Sequence, residues 1–149
     1  MKKLSALVVA VVIAMSVFVL GGCAPPALIE FDTFIAFSQE SGFHLSFDGD
    51  NIATANINET AIVRLERHTD SRSAQHAFDY EFSRLENKYN VFVRSVSTTM
   101  SSHGSWRFNT GDNHYLIQWV DTNFIFAHGR VADRDAIEEF LFNVRHRSQ

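Results

Sequence analysis

The chain is expected to fold as an α+β two-layer sandwich, an antiparallel sheet with helices packed on one face. Three observations predict it. Short stretches of alternating apolar and polar residues recur along the chain, and turn-forming Gly, Asp and Asn residues separate them. Two longer segments carry apolar residues at helical spacing. The order runs strands, helix, four-stranded meander, helix, which supplies amphipathic helices to cover a sheet face.

The elements follow in order. Phe31, Phe34 and Ile35 recur at helical spacing after a cap at Asp32, and Gly42 ends that short helix. Phe43, Leu45 and Phe47 alternate with His44 and Ser46. The turn Asp48-Gly49-Asp50-Asn51 then joins them to Ile52–Ile57 as a hairpin. Ala61, Val63 and Leu65 alternate with Arg64 and Glu66 in a third strand with one polar face. Ala74, Ala77, Phe78, Phe82, Leu85 and Tyr89 share one side of a helix over 73–88, started by Asp70 or Ser71.

The second half predicts strands near 91–100, 106–109, 114–120 and 124–130. A two-residue turn at Gly111-Asp112 sets Phe108 opposite Tyr115 and Trp106 opposite Ile117. A turn within 121–123 brings Trp119 to Phe124 or Phe126. The large aromatics then share a face, and a one-residue slip would throw them all into water. Asp133 caps a last helix with an Ile137, Phe140, Leu141, Val144 stripe, and Arg145, His146 and Arg147 suit its negative end. This order of elements is loosely similar to that of the PsbP/Mog1-like domains. The likeness transfers no residue and no activity.

The N-terminus addresses location. Lys2 and Lys3 precede an apolar stretch from Leu4 to Leu20, followed by Gly21, Gly22 and Cys23, the layout of a secretory signal peptide. Leu20-Gly21-Gly22-Cys23 resembles the lipobox of bacterial lipoproteins. That resemblance implies a diacylglyceryl group on the Cys23 thiol, palmitate among its acyl chains, and cleavage that leaves Cys23 as the first residue. Gly21 stands where such families more often carry Ala or Ser. The alternative is an uncleaved anchor, since the 19 uncharged residues from Leu4 to Gly22 would just span roughly 30 Å of hydrocarbon. Both readings place the rest of the chain outside the cytoplasm. Ala24, in place of Asp, resembles outer-membrane sorting, so the expected location is the cell membrane or outer membrane, lipid-anchored.

The expected division is therefore 1–22 signal peptide, 23–30 lipidated cysteine and tether, and 31–147 a single domain. Pro25 and Pro26 stiffen a tether whose reach is at most about 26 Å. Cys23 is the sole cysteine, so the domain has neither a disulfide nor a thiolate nucleophile. Without Lys2 and Lys3 it carries 11 Lys+Arg against 17 Asp+Glu, a net charge of −6, which excludes nucleic acid as a partner. The expected partners are the membrane, through lipid on Cys23, and an envelope protein, with the domain itself a monomer.

No catalytic motif is present in the sequence, and no cofactor is expected. Asp48, Asp50 and Glu59 occupy positions 1, 3 and 12 of an EF-hand-like frame, but Ile52 and Ala53 fall where an oxygen ligand and a glycine belong, so an ordinary acidic turn is expected. His114 and His128 lie on neighbouring strands with His128 opposite Tyr115 and His114 on the other face, against a shared zinc site. His103 reads as an exposed loop residue, and His68 and His76 flank the long helix start without a partner acid. Of the 14 phenylalanines, Phe142 falls off its helix stripe, while Phe31, Phe34 and Phe37 read as core beneath the first helix rather than as an exposed patch. Trp106 and Trp119 read as core under the helices; on an uncovered sheet they would instead be the first binding residues. The expected function is a non-catalytic binding or accessory module of the cell envelope. A small envelope hydrolase or a structural assembly lipoprotein is the alternative.

Overall fold

The positions of the turn residues cut the chain into the expected elements. The computed structural model describes residues 26–89, 96–99 and 102–149; Cys23 and the apolar stretch before it lie outside these. Helix α1 is Phe31–Glu40, with Asp32 in its first turn and Glu30, not Asp32, at the cap. Gly42 follows in the left-handed region at φ 75°. Strands β1 (His44–Asp48) and β2 (Ile52–Asn56) form the hairpin, and β3 (Ile62–Arg67) pairs with β2. Helix α2 is Ser71–Tyr89. Asp70 starts it by accepting the Ser73 N–H at 2.9 Å.

The meander comprises β4 (Val96–Thr99), β5 (His103–Thr110), β6 (Asn113–Val120) and β7 (Asn123–Arg130). The strand expected over 91–100 is described only over 96–99. Phe108 lies opposite Tyr115, Trp106 opposite Ile117, and Trp119 opposite Phe124, as the turns require. A 3-10 turn, Val131–Asp133, leads into α3 (Arg134–Arg147). Asp133 does not bond the helix it precedes. Its carboxylate accepts the Arg130 N–H at 2.8 Å, the Thr60 hydroxyl at 2.7 Å and the Asn58 amide at 2.9 Å, stapling the β2–β3 loop to the end of β7.

The seven strands form one antiparallel sheet in the order β1-β2-β3-β7-β6-β5-β4. The two meanders join where β3 pairs with β7. The α+β sandwich expected from the sequence is thus present, but its helices do not share a face. One face buries Ala53, Ala55, Val63, Leu65, Leu116, Ile125 and Ala127 beneath α1 and α3, with Phe34, Phe37 and Phe43 set edge-on around Phe140. The other face buries Trp106, Phe108, Tyr115, Ile117, Trp119, Phe124 and Phe126 beneath α2. The reason lies in β6 and β7, which carry large apolar residues in both alternations, Leu116 and Val120 against Tyr115, Ile117 and Trp119 on β6 and Ile125 against Phe124 and Phe126 on β7, and so need cover on both sides. Gln118 accordingly lies buried under α3, where its carbonyl accepts from Arg145.

Cover is offset between the faces. Helix α2 spans β5, β6 and β7, whereas α1 and α3 lie mainly over β1, β3 and β7. The face of β1–β3 on the α2 side is therefore more open, and most of its residues are polar, His44, Ser46, Asp48, Thr54, Asn56, Arg64 and Glu66, with Ile52 and Ile62 among them. The packed unit starts at Ile29, which is fully buried and whose carbonyl accepts from the Asn123 amide.

Candidate functional site

Alternation along β3 sends Val63 and Leu65 into the core and Arg64 and Glu66 to the open face, with His68 continuing the row. Helix α2 runs back beside this row. Its Ala77, Glu81 and Arg84 fall at i, i+4 and i+7, one helix face turned toward β3. Between the strand and the helix lies a cleft of about 420 Å³ lined by Arg64, Glu66, Ala77, Tyr80, Glu81, Arg84 and Phe124. Tyr80 stands at its lip, 71% exposed.

Each wall neutralises its own charge. On the helix wall, Glu81 is buried and is gripped by Arg84 through two guanidinium nitrogens, Nε at 3.0 Å and Nη2. That hydrogen bond raises the Arg84 pKa above its ordinary value. On the strand wall, Arg64 Nε lies 2.9 Å from Glu66 Oε1, and His68 Nε2 lies 3.4 Å from Glu66 Oε2. The Arg64 guanidinium also sits over the Phe126 ring, 5.1 Å from its centroid.

A second depression of about 490 Å³, lined by Asn51, Arg67, His68, Thr69 and Ser73, opens where α2 begins. The Glu66–His68 pair stands between the two. Asp70 fills the anion-attracting position at the helix start, and the Ser73 N–H holds its carboxyl below the usual carboxylate range. The combined groove offers fixed, internally paired charges, an aromatic lip and a phenylalanine floor.

The residues singled out from the sequence lie elsewhere. Trp106 and Trp119 are each 1% exposed beneath α2, where Trp106 stacks on Phe108 at 4.2 Å and meets Phe82 at 4.5 Å. They occupy the core position, and the exposed indole surface is not formed. His128 stacks on Tyr115 at 4.5 Å, while His114 is buried on the opposite face with Nδ1 2.7 Å from Asn109 Oδ1. Asp48 ends β1, Asp50 sits in the turn that follows, and Glu59 lies beyond the other end of β2, so the EF-hand frame does not close. His103 is not an exposed loop residue: it opens β5 and is buried. His68 does have a partner acid, Glu66. Phe31, Phe34 and Phe37 are core, and Phe142 stays exposed, at 66%.

The Glu81–Arg84 pair was signalled only by its i, i+3 spacing, which many surface helices share. No family model matches the chain, and no curated protein matches it in sequence. Among solved structures it is similar to a GTP-binding regulator from Thermotoga maritima, at TM-score 0.46 and 16% identity over 83% of this chain and 90% of the other.

Proposed function

We propose that the chain is a lipid-anchored lipoprotein of the cell envelope whose α+β domain is a non-catalytic binding or accessory module, with the β3–α2 groove as its contact surface. The observation that carries the binding role is the groove itself. It lies where α2 borders the more open face of β1–β3, and both of its carboxylates, Glu66 and Glu81, are paired with arginines. The anchor rests on Leu20-Gly21-Gly22-Cys23 and on the closeness of the packed unit, which begins six residues after Cys23 at Ile29.

The anchor is tested by Cys23→Ser in the full chain. The variant is expected to lose fatty-acid labelling and to persist as the longer precursor in the membrane; a membrane-bound product of mature size overturns the reading. For the groove, a photo-crosslinking residue at Tyr80 is expected to give a discrete adduct that Arg64→Glu removes. An adduct indifferent to Arg64→Glu assigns the contact to another surface.

A further inference from the structure

Strand β1 is an outer edge of the sheet, and among the described residues nothing pairs with its free side. Edge strands are ordinarily guarded by lysine, proline or a bulge. His44-Leu45-Ser46-Phe47-Asp48 has none of these, pairs with β2 without interruption, and leaves Phe47 56% exposed. We propose that β1 pairs antiparallel with β1 of a second copy of this chain about a two-fold axis at Ser46, continuing the sheet from one copy into the other.

The strand is complementary to itself in that register. Ser46 faces Ser46 of the second copy. His44 then stands opposite Asp48 of the second copy, and Asp48 opposite its His44, so two pairs of opposite polarity form on the open polar face. On the other face Leu45, half-buried, meets Phe47 of the second copy, and this too occurs twice, covering the exposed ring. Neighbouring registers that keep the same faces together fail. Centring on Leu45 leaves Asp48 without His44 and shortens the paired stretch, and centring on Phe47 sets Ser46 against Asp48. A two-fold arrangement also closes, so pairing stops at two copies. The inference rests on strand register and exposure, independently of lipid attachment.

The test places one thiol at a time in the full chain carrying Cys23→Ser, solubilised in detergent and oxidised. Directly opposed Cβ atoms lie about 4.5–5.5 Å apart, close enough to bridge. The two copies of residue 44, or of residue 48, would be separated by four strand steps, about 13 Å. Ser46→Cys is expected to give at least a ten-fold higher yield of disulfide-linked dimer than His44→Cys or Asp48→Cys, and adding Phe47→Lys, at an exposed position, is expected to remove that excess while circular dichroism stays unchanged. Equal yields at all three positions, no dimer at 46, or a yield indifferent to Phe47→Lys overturns the proposal. None of these outcomes bears on the labelling of Cys23.

Discussion

Gly104 lies directly opposite Trp119, and the indole runs flat across it: a Cβ at 104 would stand 2.5 Å from Trp119 Nε1 and 2.9 Å from Cδ1. The glycine is there to make room for the ring. Gly104→Ala is expected to destabilise by about 1–3 kcal/mol, the usual cost of overpacking a filled core. Denaturant titration gives the magnitude, and altered near-ultraviolet circular dichroism would show that the indole has moved.

Trp119→Ala is expected to cost about 3–5 kcal/mol, as for other large aromatics removed from a core. Acrylamide should quench neither indole efficiently in the folded chain. Phe142→Ala, at an exposed helix position, serves as the comparison and should change stability by less than about 0.5 kcal/mol. Near-zero loss at Trp119 with strong quenching would overturn the burial of the aromatic face.

Gln118→Ala is expected to cost about 1–3 kcal/mol, because it strips the acceptor from a guanidinium that α3 holds against the sheet. Burial already pushes the Arg145 pKa below its ordinary value, so the cation has little solvent to fall back on. Gln118→Glu, which keeps an acceptor and adds a charge, should recover much of the loss. Equal loss in both variants would argue that shape, not the hydrogen bond, matters there.

His114 makes stability depend on pH. Burial first, and then the charges of Arg134 and Arg107 against the opposing pull of Glu138, hold its pKa below 6.5 in the folded chain. The unfolded chain therefore takes up the proton first as pH falls. This contribution to stability is complete above 6.5 and declines as pH drops from 6.5 toward the folded value. His128, lowered chiefly by burial, acts in the same direction. Urea midpoints should fall between pH 7.5 and 5, and His114→Gln should flatten that slope. An imidazole resonance of His114 titrating above 6.5 would contradict the account.

Asp133 acts lower on the pH scale. The Thr60 hydroxyl first, then the Arg130 N–H, hold its carboxyl below 3.8, so its contribution persists above 3.8 and is lost as pH falls through the folded value. Asp133→Ala should make the acid limb of the stability profile shallower and speed hydrogen exchange at the Arg130 amide. Unchanged exchange there would separate Asp133 from the loop staple.

The aromatic face was legible because its period is strict: Trp106, Phe108, Tyr115, Ile117 and Trp119 alternate without exception, and the short turns leave one register. The second cover was harder to read. Leu116, Ile125 and Ala127 sit between larger side chains, and in a half-buried strand the same residues would pass as ordinary exposed ones. The groove was fainter still. Arg64 and Glu66 announce a polar face, but only the return path of α2 decides that Glu81 and Arg84 meet them across a cleft, and that path is a tertiary fact.

The lock on Ile29 has a mechanical consequence. Asn123 donates to its carbonyl at the first residue of β7, and the Glu30 N–H reaches the Ser148 hydroxyl at 3.2 Å, just past α3. Tension drawn through the N-terminal end of the packed unit therefore enters at the middle strand of seven and at the last helix together. It loads β7, which is bonded on both edges to β3 and β6, in shear. Unzipping from an outer strand, the cheaper failure for a sheet, is not the route such a pull would take.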